Sequence, residues 1–151
     1  MRKLDSQNIN LAAEFFVVSQ LYRRGFLPLV TLGHTKQIDI VVENPENGKI
    51  ATVDVKGLTR DGGNWLINPK REKPEHFFVL VYFDRFSDTE SMPKVFVVPS
   101  MEMENMLKGR SLRYVTLSQV NEESKNHDAW KPSESKHHDA WKPLDEFLKT
   151  A

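Results

Sequence analysis

Residues 37–56 read QIDIVVENPENGKIATVDVK, in which two apolar, β-branched runs flank a group of turn-forming residues. The runs occupy 37–42 and 50–56, and the segment between them contains Asn-Pro-Glu-Asn-Gly. This pattern predicts a β-hairpin. If 45–48 form a four-residue loop, Asp39 lies directly across from Asp54, and Gln37 lies across from Lys56.

The predicted register brings two carboxylates together. Side chains alternate along a strand, so Asp54 and Lys56 share one face. Directly opposed residues have Cβ atoms roughly 5 Å apart, and like charges repel at that distance. A divalent cation between Asp39 and Asp54 would turn this repulsion into binding, with the carbonyl of Val55 as a further oxygen ligand.

Glu14 lies in a segment whose apolar residues recur at helical spacing. On a helical wheel it falls about 60° from Leu11 and about 40° from Val18, at the border of the apolar stripe. A carboxylate there needs a partner if it is buried. It either reaches towards the hairpin to assist the metal site, or it pairs with a nearby lysine or arginine.

Composition limits the chemistry. The 151 residues contain no cysteine, which excludes disulfides, thiolate metal sites and thiol catalysis. A metal would then have oxygen or imidazole ligands, which favours Mg²⁺ or Mn²⁺ over structural zinc. The formal net charge of zero gives no support for tight non-specific binding of nucleic acid. With no signal-peptide core and no apolar run approaching the ~20 residues of a membrane helix, we expect a cytoplasmic protein without membrane contact.

The order of the predicted elements indicates an α/β fold. A helix over 8–24 should bury the stripe Leu11, Phe15, Val18 and Tyr22 on one face of the sheet. Pro28 places a short strand over 26–30 at a sheet edge or end. The further predictions are a surface loop over 57–74, strands over 76–83 and 94–98, and a helix over 100–107. We therefore expect a mixed sheet of four or five strands flanked by helices.

The last thirty residues contain an internal duplication. Residues 124–132 recur at 135–143 with eight of nine positions identical, and both copies contain the motif HDAWKP in full. We divide the chain into an α/β domain over 1–120 and an extension over 121–151 that packs on the same domain. One of Trp130 and Trp141 is expected to dock on the body while the other stays at the surface, and a short final helix is expected over 144–148.

Other polar residues have two interpretations each. Gln37 either contacts the site or is a polar residue at a strand end. Lys70, Arg71 and Lys73, with Arg60, either contact phosphates or form a solvated charged loop, and Trp65 could stack on an unpaired base. The histidines His34, His127, His137 and His138 show no recognisable ligand spacing, and we assign the last three to a surface tail.

Four positions together resemble the core of the PD-(D/E)xK nuclease superfamily, which includes many restriction enzymes, Holliday-junction resolvases and some homing endonucleases. They are Glu14 on a first helix, Asp39 within IDIV, and Asp54 and Lys56 within VDVK. The resemblance covers roughly 11–57, about a third of the chain. No proline precedes Asp39, and an aspartate stands at position 54 where glutamate is commoner in the superfamily.

The resemblance implies a restriction-endonuclease-like core and a Mg²⁺-dependent DNA endonuclease, with Mn²⁺ as a possible substitute. Asp39 and Asp54 would bind the metal, Lys56 would position the water for in-line attack, and Glu14 would assist through a water or a second metal. Duplex or branched DNA would be the substrate, and cutting both strands would favour a homodimer. Two alternatives stay open: an inert nucleic-acid-binding or assembly module on the same fold, and a nuclease acting on RNA.

Overall fold

The computed structural model describes residues 5–31, 38–60, 63–67, 73–108, 113–125 and 140–150. Within these ranges no helix is both long and apolar enough to cross a membrane. The described helices and strands, in chain order, are α1 (Ser6–Arg23), β1 (Leu27–Val30), β2 (Ile40–Glu43), β3 (Ile50–Leu58), β4 (Asn64–Leu66), β5 (His76–Tyr82), β6 (Lys94–Pro99), α2 (Ser100–Leu107), β7 (Tyr114–Thr116), α3 (Leu117–Lys125) and α4 (Lys142–Lys149).

The main sheet has five strands in the order β1-β2-β3-β5-β6, and it is mixed because only β3 and β5 run parallel. β1 forms one edge of this sheet, as expected from the presence of Pro28 in the strand. The prediction of a mixed sheet flanked by helices is confirmed. In the hairpin, Ile40 pairs with Val53 and Glu43 with Ile50, which is the predicted register. The predicted pair of Asp39 with Asp54 is not part of the ladder, because the backbone N–H of Asp39 bonds to the carbonyl of Val53 instead.

Alternate side chains of the sheet supply two separate cores. On β5, Phe77, Val79 and Val81 belong to the core that α1 and α4 cover. Phe78 and Leu80 belong to the core that α2, α3 and the two-stranded sheet of β4 and β7 cover. Both faces of β5 are buried, which explains its uninterrupted apolar sequence. Asp54 and Lys56 alternate with Val53 and Val55 of the first core, so they belong to the second face.

The predicted inward face of α1 is wrong except at Val18, which packs against the core. Leu11, Phe15 and Tyr22 are 39%, 63% and 57% exposed, while the fully buried residues are Ala13, Val17 and Leu21. The helix carries apolar residues on most of its sides, so periodicity does not decide which side packs inward. Close packing decides instead, because the small side chain of Ala13 lets the helix approach β3.

The segment predicted to be a surface loop over 57–74 contains a strand. β4 lies within it and pairs with β7, and neither strand was predicted. Trp65 on β4 is 2% exposed and contacts Phe96 edge to face, with ring centroids 6.4 Å apart. A side chain this buried cannot stack on a base, so that prediction is wrong. Three-residue strands carry too little pattern to be recognised locally.

The final helix packs against the hairpin side of the sheet. Asn44 and Asn47 in the hairpin turn donate side-chain hydrogen bonds of 3.1 and 2.9 Å to the carbonyl of Leu148. Trp141, from the second copy of the duplicated motif, is 5% exposed and lies under the guanidinium of Arg24 at 5.3 Å from its centroid. Trp130, in the first copy, lies outside the described residues.

Candidate functional site

The candidate site lies beside the first residue of β2, where its pairing with β3 stops and β3 continues. Among the described residues, the ladder between the two strands stops at the pair Ile40–Val53, and no strand partner is described on the β2 side for residues 54–58 of β3. Their other side pairs in parallel with β5, Asp54 aligning with Phe78 and Lys56 with Leu80. We call this edge of β3, beyond the end of the ladder, the notch, and both Asp54 and Lys56 lie along it.

Asp39 lies at the closed end of this notch. Its backbone N–H donates to the carbonyl of Val53 at 3.0 Å, although the ladder aligns Val53 with Ile40. Two consecutive residues therefore face one residue of β3, which is the arrangement of a β-bulge. Its carboxylate Oδ2 accepts a 2.7 Å hydrogen bond from the N–H of Val55. This bond satisfies a donor that the shortened β2 leaves without a strand partner, and it fixes Asp39 beside the Asp54–Lys56 segment.

Helix α1 is held against the far end of β3 by a close contact. The N–H of Gly57 donates to Oδ1 of Asn10 at 3.0 Å. A Cβ at position 57 would lie 2.9 Å from the carbonyl oxygen of Ile9 and 3.3 Å from the Cβ of Ala13. Only glycine permits this approach, which brings the helical turn containing Glu14 to the strand that carries Lys56.

The four residues singled out from the sequence form one electrostatic cluster. Burial raises the pKa of Asp39, the nearby Asp54 raises it further, and the Val55 N–H and Lys56 oppose the shift. Burial also raises the pKa of Glu14, with Asp39 adding to the increase and Lys56 opposing it. Glu14 therefore interacts with Asp39 and Lys56, and Asp39 interacts with Asp54. Burial, with a contribution from neighbouring acids, therefore disfavours the ionisation of Glu14 and Asp39, and raised pKa values of this kind are common in functional sites.

Sequence reasoning missed two residues of the site, His76 and Thr52. His76 begins β5, is 1% exposed, and places its Nε2 3.4 Å from Oδ2 of Asp54. Its Nδ1 lies 2.7 Å from the hydroxyl of Thr52. Thr52 could have been found from the sequence, because the alternation along β3 places it on the same face as Asp54. His76 could not, because it lies beside Asp54 only through the pairing of β3 with β5, which is distant in sequence.

The donor set is compatible with a hard divalent cation. Asp39 uses one carboxylate oxygen for Val55 and Asp54 directs one towards His76, so each has a second oxygen for a metal. Mg²⁺ and Mn²⁺ prefer such oxygen ligands. Within the described ranges, no group of three or more His, Cys, Asp or Glu side chains is arranged to hold a metal ion. A site here would have two protein carboxylates and depend on backbone, water or substrate oxygens for the remainder.

No protein-family model matches the chain, and no curated protein or solved structure matches it either. The resemblance to the PD-(D/E)xK superfamily therefore depends on the residues of this chain alone. At the level of architecture the chain is a mixed α/β protein with a five-stranded sheet flanked by helices.

The remaining predicted site residues are not brought to the notch by any described contact. Gln37 lies outside the described residues, as do Lys70, Arg71 and the four histidines weighed from the sequence, His34, His127, His137 and His138. Arg60 and Lys73 are described and exposed. Their contact with nucleic acid stays a prediction.

Proposed function

We propose that the chain has a restriction-endonuclease-like core and is a Mg²⁺-dependent DNA endonuclease that hydrolyses phosphodiester bonds. The observation that carries the proposal is the electrostatic cluster of Glu14, Asp39, Asp54 and Lys56 at the notch beside β3. Three acids and one lysine come from helix α1, from the residue before β2 and from β3, and burial together with neighbouring acids raises the pKa of Glu14 and of Asp39. If the cluster had only a structural role, a cation or hydrogen-bond donor for each acid would stabilise the fold more than this arrangement does.

Each residue has a role that its position supports. Asp39 and Asp54 would hold the cation, with the Val55 carbonyl as a third oxygen. Bound Mg²⁺ supplies Lewis-acid charge that neutralises the developing negative charge on the phosphate. Lys56 places a positive charge beside the scissile phosphate and orients the attacking water. Glu14, whose pKa is raised, accepts a hydrogen bond from that water or takes up its proton.

The substrate is duplex or branched DNA, and two copies of the chain would cut the two strands of a duplex. The neutral net charge implies that binding depends on local cations and on the metal rather than on a broad basic surface. Duplex DNA, branched DNA and single-stranded RNA should therefore be compared as substrates at matched salt concentration.

The direct test is cleavage of supercoiled plasmid in Mg²⁺ by the wild type and by Asp54→Asn. This substitution keeps the shape of the side chain and removes a metal-binding charge. We expect a loss of about 10²–10³-fold or more, the magnitude typical of removing one electrostatic element of an active site. Asp84→Asn, at an exposed turn between β5 and β6, is the matched control and should cleave normally. Equal activity of Asp54→Asn and wild type would refute the proposal.

The competing function is an inert nucleic-acid-binding or assembly module. The observation in its favour is that the described residues hold no preformed group of three metal-ligating side chains. Calorimetry with Mn²⁺ separates the two functions. Heat of binding at millimolar metal that Asp54→Asn abolishes supports the nuclease, and no binding at that concentration supports the inert module.

A further inference from the structure

His76 is a buried histidine with one partner on each side of its ring. Its side chain has no exposed surface, Nδ1 lies 2.7 Å from the Thr52 hydroxyl, and Nε2 lies 3.4 Å from Oδ2 of Asp54. Nε2 makes no hydrogen bond of good geometry and is fully buried. The ring of Phe78 packs edge-on against the imidazole, with centroids 5.0 Å apart. These contacts hold the imidazole in one orientation, with Nε2 directed towards the carboxylate of Asp54.

The two partners determine where the imidazole carries its proton. A lone pair on Nε2 facing a carboxylate oxygen would be repelled, so the proton belongs on Nε2. Nδ1 is then an acceptor, and the Thr52 hydroxyl donates to it. The Nε2–Oδ2 separation is long for a hydrogen bond, but such contacts in functional sites commonly tighten when the site is loaded.

We propose that His76 is a positioning residue, which donates from Nε2 to Oδ2 of Asp54 and, held by Thr52, directs the second carboxylate oxygen towards the bound cation. The proposal rests on the proposed function, since it assigns Asp54 as a metal ligand. Carboxylates that bind metals are themselves commonly oriented by a hydrogen bond from a neighbour. A histidine with a fixed tautomer is suited to this because its ring cannot rotate away inside the core.

The first test requires neither metal nor DNA. Long-range ¹H–¹⁵N correlation spectra of the whole chain, near neutral pH, report which ring nitrogen of His76 carries the proton. We expect a proton on Nε2 and none on Nδ1. Asp54→Asn should weaken the hydrogen bond and move the Nε2–H resonance upfield, and Thr52→Val should give a mixture of tautomers. A proton on Nδ1 alone, or spectra unaffected by both substitutions, would overturn the proposal.

The second test measures Mn²⁺ affinity by calorimetry. His76→Leu fills the same space without a donor and should weaken binding by about 10–100-fold. His76→Gln places an amide donor near the position of Nε2, so its Mn²⁺ affinity should fall by less than ~10-fold, the lower end of that range. Val79→Ala, on the opposite face of the same strand, is the control for destabilisation and should leave Mn²⁺ affinity unchanged.

The two tests separate failure of this inference from failure of the proposed function. If the wild type binds Mn²⁺ and His76→Leu binds equally well, the positioning role is wrong and the nuclease proposal is unaffected. If the wild type binds no Mn²⁺ but the spectra show the expected proton and its dependence on Asp54, the metal site is wrong and the hydrogen-bonded chain is supported.

Discussion

The carboxylate of Asp39 accepts a 2.7 Å hydrogen bond from the backbone N–H of Val55, the residue between Asp54 and Lys56. This contact joins the two halves of the proposed catalytic motif through the backbone. It also means that Asp39 has a structural role in addition to its charge, because it satisfies a donor that β2 leaves without a partner. The two roles can be separated by substitution.

Asp39→Asn and Asp39→Ala should have opposite effects on stability at neutral pH. Asparagine keeps an oxygen for the Val55 N–H and removes a charge that burial disfavours, so it should raise the free energy of unfolding. Alanine removes the acceptor and should lower it by about 1–3 kcal/mol. Urea denaturation measures both changes, and each kcal/mol corresponds to about 2–4 °C in Tm for a chain of this size. Both variants should lose cleavage activity; a destabilised Asp39→Asn protein would contradict this account.

Glu14→Gln should raise the free energy of unfolding near neutral pH, because the partly buried charge of Glu14 destabilises the folded protein. The pKa of Glu14 is raised above 4.5 in the folded state, so the folded protein binds more protons than the unfolded chain between the two pKa values. The free energy of unfolding therefore falls as pH rises through that window, and the penalty is complete above the folded pKa. Glu14→Gln should match the wild type at low pH and exceed it in stability near pH 7.

The pH series for Glu14 has a built-in control. Asp39 contributes to the raised pKa of Glu14, so the gain from Glu14→Gln should be smaller in an Asp39→Asn background. Urea denaturation of the four proteins of this double-mutant cycle, across a series of pH values, isolates the coupling. A gain from Glu14→Gln that does not change with pH would show that the effect comes from packing.

The hairpin could be predicted from the sequence because its information is local. The loop length sets the register, and the observed pairing of Ile40 with Val53 is the predicted one. The inward face of α1 could not be predicted, because apolar residues surround the helix and the contact of Ala13 with Gly57 decides the packing. His76 could not be placed either, since its position depends on parallel pairing across a crossover. The local sequence pattern determines the pairing of segments that are close in sequence, whereas pairings between distant segments depend on the whole fold.

Gly57→Ala should separate the position of α1 from overall stability. The added Cβ would meet the Ile9 carbonyl at 2.9 Å and push the helix from β3, at a cost of about 1–3 kcal/mol. Glu14 would move with the helix, so cleavage should fall as well. Gly25→Ala is the matched control, since φ there is 87° with open space around the position, and it should cost about 1–2 kcal/mol through backbone strain alone. Urea denaturation and plasmid cleavage compare the two; normal cleavage by Gly57→Ala would show that this contact does not position Glu14.

The duplicated motif offers two tryptophans in nearly identical sequence for comparison. Trp141 is 5% exposed, belongs to the core shared by α1 and α4, and lies under Arg24, which also binds Asp145 at 3.0 Å. Trp141→Ala should therefore lower the free energy of unfolding by about 3–5 kcal/mol. The sequence predicts that only one copy docks, so Trp130→Ala should change it by less than about 0.5 kcal/mol. Urea denaturation of both variants measures the difference. Equal losses would contradict the prediction that one copy stays at the surface, whereas a large loss confined to Trp141→Ala would assign the docking to the second copy alone.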